Sequence, residues 1–243
     1  MKKSISLSII AFLMAILAGN AQEMKVDDVL NNYFKATGIE KMKDWTTYAA
    51  SCKTIAQGQE IPVKMMLKRP KKIRIEVEFQ GNKMIQAFDG EQGWSVVPWS
   101  GSSAPQDMTA DQVKGMKEQA DMEGAIYNWK EKGNQVELLG KEDLEGSAVY
   151  KIKLTKATGD IDTYFIDADS FILLKTSSKV KIQGNEVESD NLFTNYKDFN
   201  GVMMACTITS KMKEQTVSQV EIDKIDINVP VSDSLFIKPV VKK

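Results

Sequence analysis

Four aspartates lie close together in the second half of the sequence, at positions Asp160, Asp162, Asp167 and Asp169. A pair of carboxylates is what many hydrolases use for general acid and base catalysis. The glycine, alanine and serine residues beside these aspartates instead indicate turns that flank a strand at 161–166. The segment also lacks the glycine and the closing glutamate of a calcium loop, so we predict neither a catalytic carboxylate pair nor a metal site.

The sequence contains no histidine. This removes the usual general base, the Ser-His and Cys-His nucleophile pairs and the most frequent zinc ligand. No nucleophile elbow is present either. We therefore expect a protein that is not an enzyme and that needs no cofactor. The formal net charge of −1 gives no reason to expect binding to nucleic acid.

Cys52 and Cys206 are the two cysteines of the chain. In an oxidising compartment they could form a disulfide, but both lie in strand-like segments far apart in sequence. Two buried free thiols are the other interpretation, and the sequence leaves both open.

The first residues have the order of a secretory signal peptide. Met1 and two lysines precede an apolar run at 5–17, and small residues follow up to Ala21, after which we place the cleavage site. The run is shorter than the about 20 residues that a membrane-spanning helix needs. We expect residues 1–21 to be removed and residues 22–243 to form a single exported domain.

The mature sequence begins with a helical pattern and then changes to the period of β-strands. Apolar residues from Val26 to Phe34 recur at helical spacing and end at Gly38, and a short helical piece at 39–43 follows. From Trp45 onward the period is two. The clearest strand is 72–80, in which Ile73, Ile75, Val77 and Phe79 alternate with charged residues.

A helix interrupts this series of strands. A Gly/Ser/Pro linker at 101–105 leads to Thr109, and Gln112 stands where a capping box needs it, so we predict a helix at 109–122 that covers one face of the sheet. Five strands precede this helix. We predict that seven follow, at 135–141, 147–155, 160–166, 171–183, 186–199, 201–212 and 217–229.

Several segments resemble the outer-membrane lipoprotein-sorting (LolA-like) family. They include 61–76 with its Lys68-Arg69-Pro70 triplet, Phe88-Asp-Gly-Glu-Gln-Gly-Trp94, Leu139-Gly-Lys-Glu-Asp and Tyr164-Phe-Ile-Asp167, in the order that the family shows. The resemblance extends over nearly the whole mature chain. It implies a mainly β fold: a strongly curved, incomplete antiparallel β-barrel of about 11 or 12 strands, with an N-terminal helix and a mid-chain helical lid.

The resemblance also implies a function, which is to carry lipoprotein acyl chains through the periplasm of a Gram-negative bacterium toward the outer membrane. Lipoproteins, an inner-membrane lipoprotein-releasing complex and an outer-membrane acceptor would be the partners of a monomeric carrier. Arg69 would bond to the lid and keep the empty cavity closed. The residues expected to line the acyl-chain cavity are Met65, Leu67, Ile73, Ile75, Val77, Phe79, Met84, Trp94, Val113 and Met116.

Two alternatives stay open at this point. The first is a periplasmic binding or sensor module of the same fold that responds to lipid or lipoprotein. The second concerns the basic cluster formed by residues 68–72 together with Arg74, which would either meet anionic lipid headgroups or form a solvated hairpin surface. We expect the solvated surface.

Overall fold

The computed structural model describes residues 24–182 and 185–240, with side chains except at 102, 180–182 and 185. The predicted signal peptide at 1–21 lies outside the described residues. Within them, no helix is long and apolar enough to span a membrane.

Two α-helices form where the sequence predicts them. Helix α1 (Val26–Thr37) ends at Gly38, whose φ of 63° is the left-handed conformation that favours glycine, and a 3₁₀ helix (Ile39–Asp44) follows directly. Helix α2 (Ala110–Gln119) begins with the expected capping box. The Thr109 backbone N–H donates to the Gln112 side chain at 2.8 Å, and the Gln112 N–H donates to the Thr109 hydroxyl. Shorter 3₁₀ helices lie at Pro98–Ser100 and Asp233–Leu235.

The strands form one 13-stranded antiparallel sheet, which is curved and does not close. They are β1 (Thr47–Ala56), β2 (Gln59–Lys68), β3 (Lys72–Phe79), β4 (Asn82–Phe88), β5 (Gly93–Val97), β6 (Ser102–Asp107), β7 (Gln135–Leu144), β8 (Ser147–Thr155), β9 (Ile161–Asp167), β10 (Leu173–Ile182), β11 (Asn185–Phe199), β12 (Val202–Met212) and β13 (Gln215–Ile227). The expected fold class is confirmed.

Consecutive strands pair as two meanders, β1–β6 and β7–β13, and β13 returns to pair with β1. The edges of the sheet are therefore β6 and β7, and the chain between them carries α2. Strand β6 is a difference from the sequence prediction, because it occupies the segment that we expected to be a linker. Its Gly, Ser and Pro residues are typical of a linker, but an edge strand tolerates them because β6 pairs only with β5.

The helices pack against the concave face of the sheet and divide it into two apolar clusters. Helix α1 covers the part formed by β7–β10, where Val29 and Leu30 meet Ile152, Leu154 and Ile166. The 3₁₀ helix after Gly38 and helix α2 cover the part formed by β1–β5, with β12 and β13 beside it. Only this second part is under the helix that the sequence identifies as a lid.

The two cysteines are free and buried. Cys52 lies on β1 and Cys206 on β12, and β13 runs between these two strands. Burial raises the pKa of the Cys52 thiol to about 11, so it stays protonated at neutral pH. Of the two interpretations that the sequence left open, the structure shows two free thiols.

Candidate functional site

The strand register places seven of the predicted cavity residues on the same concave face. Leu67 pairs with Ile73, Met65 with Ile75 and Val77 with Met84 in the antiparallel ladder. Directly paired residues share a face, and so do residues two apart on one strand. The seven residues are Met65, Leu67, Ile73, Ile75, Val77, Phe79 and Met84.

Trp94 does not belong to this set. It pairs with Ala87, which pairs with Arg74, and this row lies on the opposite, outer face. There the Trp94 indole N–H donates to the Phe236 carbonyl at 2.7 Å, and the Arg74 guanidinium lies over the Trp94 ring at 5.5 Å. The expectation that Trp94 lines the cavity is wrong because Trp94 is one residue out of phase with the inward positions of β5.

Gly93, the neighbour of Trp94, faces the lid instead. A Cβ atom added there would lie 2.7 Å from Met108 Sδ and 3.3 Å from Val113 Cγ2. The absence of a side chain at Gly93 therefore lets α2 and the segment before it lie close against the sheet. Val113 and Met116, the two remaining predicted residues, both pack into the apolar cluster beneath α2, and Met116 is buried.

The concave face is sealed at one end and open at the other. Leu67 and Ile73 are buried under the 3₁₀ helix and α2, whereas Met65 and Val77, farther along the same strands, are only half-buried. We call this strip of inward residues, from Ile73 outward to Phe79, the apolar trough. In its outer part, the side chains of Met65, Val77 and Phe79 are half-buried and remain partly accessible to solvent.

Strands β12 and β13 add residues to the trough that the sequence did not identify. Val220 and Ile222 on β13 and Met204 on β12 are partly buried against the same apolar cluster. Cys52 pairs with Ile222 and Thr54 with Val220. The sequence predicts a strand at β13, but it does not predict that this strand pairs with β1, because no local sequence pattern specifies so distant a partner.

Arg69 joins three parts of the structure at the closed end of the trough. Its guanidinium donates to the carbonyl oxygens of Met42 and Trp45 at 2.6 and 2.7 Å, and it forms an ion pair with Glu123, just after α2. The Glu123 side chain is 12% exposed and that of Arg69 is 32% exposed. Arg69 therefore ties the segment that follows the lid to the start of β1.

A second set of ion pairs holds the other side of α2. Lys114 Nζ lies 2.6 Å from Asp160, and Lys156 Nζ lies 2.8 Å from Glu118 and 3.0 Å from Asp162. Hydrogen bonds from Lys114 and Thr158 lower the pKa of Asp160. Together these pairs connect the lid to the hairpin between β8 and β9.

The remaining aspartates act in a turn, as the sequence indicated. The Asp167 carboxylate accepts hydrogen bonds from the backbone N–H and the hydroxyl of Ser170, at 2.7 and 2.6 Å. Although partial burial raises the pKa of Asp167, these hydrogen bonds lower it overall. In the described ranges, no group of three or more Cys, Asp or Glu side chains is arranged to hold a metal ion.

Three residues of the basic cluster that the sequence singled out, Lys68, Lys72 and Arg74, bind the segment 231–235 of the same chain. Lys68 Nζ donates to the Val231 carbonyl at 2.8 Å, and Lys72 lies 2.7 Å from Asp233. Arg74 donates to the Leu235 carbonyl at 2.7 Å. Lys68, Lys72 and Arg74 therefore anchor residues 231–236 to the outer face, whereas Lys71 of the same cluster is exposed to solvent.

No protein-family model and no curated protein matches this chain. Several solved structures are similar to it in fold. A LolA superfamily protein from Nitrosomonas europaea superposes with a TM-score of 0.60 at 16% identity, covering 86% of this chain and 97% of that one. A DUF1329 family protein from Desulfovibrio piger gives a TM-score of 0.58 at 13% identity, with the same coverage of both chains.

A third structure comes from Vibrio parahaemolyticus and is named for outer membrane lipoprotein sorting. It has a TM-score of 0.56 at 12% identity, and the match covers 86% of this chain and 97% of that one. Identities this low establish the fold. The chain therefore has the fold of the LolA superfamily, as the resemblance of its sequence predicts.

Proposed function

We propose that this protein is a periplasmic carrier that holds lipoprotein acyl chains in the apolar trough and releases them toward the outer membrane. The observation that carries the proposal is the trough itself: inward Met, Ile, Val and Phe side chains of β2–β4, sealed by α2 at one end and half-exposed at the other. The shared fold with lipoprotein-sorting proteins supports it.

Acyl chains need such a surface to cross an aqueous compartment. Burial of one CH₂ group is worth about 0.8 kcal/mol, so a 16-carbon chain represents roughly 12 kcal/mol that the carrier must match. Methionines at the trough suit this task because the flexible thioether adapts to chains of different shape. Met65, Met84 and Met204 lie there, and Met116 of the lid belongs to the same apolar cluster as Met65 and Met204.

An empty trough must be covered, because exposed apolar surface promotes aggregation. Helix α2 provides the cover, and Arg69 with Glu123 is the contact that keeps it closed. Cargo would displace α2, break this contact and occupy the space of Val113 and Met116. Release to an acceptor would let the contact form again.

The location and partners of the carrier are part of the same proposal. Export through the signal peptide at 1–21 would leave a single domain, 22–243, as a periplasmic monomer. An inner-membrane lipoprotein-releasing complex would load it and an outer-membrane acceptor would unload it.

Two variants of one strand test the proposal. Met65 and Met66 are both half-buried, but Met65 faces the trough and Met66 pairs with Arg74 on the outer face. Met65→Glu places a charge in the trough, and Met66→Glu is the matched control. The assay adds the purified mature protein to spheroplasts that contain labelled lipoproteins and measures the label released into the soluble fraction.

We expect release by the wild type and by Met66→Glu, and loss of release with Met65→Glu, while circular dichroism shows that both variants are folded. Equal release by the two variants would refute the trough as the binding surface. Lipid binding without any release by the wild type would refute the carrier and favour the lipid-responsive sensor module.

A further inference from the structure

A cleft of about 750 Å³ lies beside the lid. Its walls are α2, the segment that follows α2 and the hairpin between β8 and β9. This volume lies within the range of about 300–1,000 Å³ that small-molecule sites occupy. We call it the basic cleft, because five lysines and three carboxylates line it: Lys71, Lys114, Lys117, Lys132, Lys156, Glu118, Asp121 and Asp162.

Three of the five lysines are neutralised by the protein. Lys114 pairs with Asp160, Lys132 lies 2.6 Å from Asp121, and Lys156 pairs with Glu118 and Asp162. The side chains of Lys71 and Lys117 are exposed and form no hydrogen bond or ion pair with any residue in the described ranges 24–182 and 185–240. Because Lys156 has two carboxylate partners, the five lysines face four carboxylates, and the cleft keeps a net charge of +1.

The hydroxyl group of Tyr164 is a further hydrogen-bond donor in the basic cleft. It lines the cleft, and its hydroxyl has no hydrogen-bond partner among the described residues. No fully buried side-chain oxygen or nitrogen of the described chain lacks a partner, so this hydroxyl must be reachable from the cleft. Burial, together with the negative charge of Asp162, raises the pKa of Tyr164, and the phenol stays protonated and able to donate.

The cleft borders the apolar clusters that lie beneath the helices. Val113 lines the cleft and also packs into the cluster beneath α2. Ala125 lines the cleft as well and packs into the cluster that α1 covers. A molecule with an apolar chain under α2 would thus reach the lysines of the cleft with its polar end.

We propose that the basic cleft binds the anionic headgroup, a phosphate or carboxylate, of an amphiphile whose chain lies under the lid. This inference rests on the proposed function, because it uses the trough as the place of the chain. It makes negatively charged lipids cargo of this protein, in preference to zwitterionic lipids of the same chain length. Lys71, Lys117 and the Tyr164 hydroxyl recognise the headgroup.

The test compares lysophosphatidylglycerol with lysophosphatidylcholine of the same chain, by isothermal titration below their critical micelle concentrations. Inorganic phosphate alone is the third ligand. The double variant Lys71→Gln/Lys117→Gln removes the two unpaired charges, and Lys35→Gln/Lys64→Gln removes two exposed lysines elsewhere as the matched control. Tyr164→Phe removes the hydroxyl without breaking any hydrogen bond within the described protein.

We expect the wild type to bind the anionic lysolipid about tenfold more tightly than the zwitterionic one, with this preference weakened at high salt. The cleft double variant should lose the preference and the control variant should keep it. Tyr164→Phe should reduce the affinity for the anionic lysolipid a few-fold and leave the zwitterionic one unchanged.

Equal affinity of the wild type for the two lysolipids, or a preference that survives in the cleft double variant, overturns this inference and leaves the proposed function intact. Inorganic phosphate that binds as tightly as the anionic lysolipid overturns the assignment to an amphiphile. Failure of both lysolipids to bind contradicts the apolar trough as a chain-binding site, and with it the proposed function.

Discussion

Replacement of Arg69 by leucine should open the lid, and the structure allows the size of this effect to be worked out. Arg69→Leu removes two kinds of contact. The bonds to the Met42 and Trp45 carbonyls hold the 3₁₀ helix to β2 and do not involve the lid. Their loss should lower the free energy of unfolding whether α2 is closed or open. The ion pair with Glu123 is the contact that distinguishes the closed state.

The cost of losing the ion pair lies between two known limits. Breaking a buried pair costs about 3–5 kcal/mol because a charge remains buried, and exposed pairs contribute about 0–1 kcal/mol. Glu123 is nearly buried and Arg69 is about one third exposed. We therefore expect a cost of about 2 kcal/mol, which corresponds to a roughly 30-fold shift of the lid equilibrium toward the open state.

Amide hydrogen exchange of α2 measures this shift directly. Exchange at Val113–Gln119 should become roughly 30-fold faster in Arg69→Leu, and amides of β8 should keep their protection relative to the global stability. Glu123→Gln is the matched variant, because it removes the ion pair and leaves both carbonyl bonds of Arg69 in place. It should accelerate exchange of α2 with little effect on the unfolding midpoint. Unchanged exchange of α2 in both variants would show that Arg69 only stabilises the 3₁₀ helix.

Three further predictions concern the Lys114–Asp160 ion pair beside α2, the burial of Phe236 on the outer face, and the backbone conformation at Gly38 and Gly81. Because the pKa of Asp160 is lowered when it pairs with Lys114, the pair stabilises the closed lid above the ordinary carboxyl pKa, and this contribution disappears as the pH falls through the lowered value. The protection of the α2 amides, measured relative to their intrinsic exchange rate at each pH, should fall below about pH 4, and a Lys114→Met variant that still shows the full acid response would contradict this. Phe236→Ala should cost about 3–5 kcal/mol in urea unfolding, since the ring is fully buried on the outer face; a loss below about 1 kcal/mol would mean that the C-terminal segment detaches freely. Gly38→Ala should strongly destabilise the folded protein, because the added Cβ would lie 2.2 Å from a backbone oxygen and the φ of 63° disfavours a side chain. Gly81 also has a positive φ but has open space around it, so Gly81→Ala should lower the free energy of unfolding by only about 1 kcal/mol. Equal melting temperatures for the two variants would rule out the predicted clash.

The inward residues of β3 could be predicted from sequence because the period of two is unbroken there, although in β2 the apolar Met66 on the outer face blurs the pattern. Ile73, Ile75, Val77 and Phe79 alternate with charged residues, and the structure places them on one face. Trp94 could not be placed in this way. Strand β5 is short and has the small residues Gly93 and Ser95 at its inward positions. Its large apolar residue, Trp94, therefore lies on the outer face, opposite to the arrangement in β3.

Contacts between distant segments could not be predicted from the sequence, for a different reason. The partners of Lys68 and Lys72 lie near the C-terminus, and Glu123 lies outside the predicted helix, so no local pattern connects them. The lysines of the basic cleft come from the hairpin before β3, from α2 and its following segment, and from the hairpin after β8. Only the fold brings these separate segments together.

The pairing of β1 with β13 has a consequence for how the chain reaches its native state. Each meander can form from neighbours in sequence, but the seam between the two joins residues such as Thr46 and Asn228, which are 182 positions apart and hydrogen-bonded at 2.6 Å. Closing so long a loop is entropically unfavourable and slows folding. Until the seam forms, the first and last strands expose unpaired edges and half of the trough to other chains. Newly synthesised protein should therefore depend most on assisted folding and on protection from proteolysis in the interval before β13 has paired with β1.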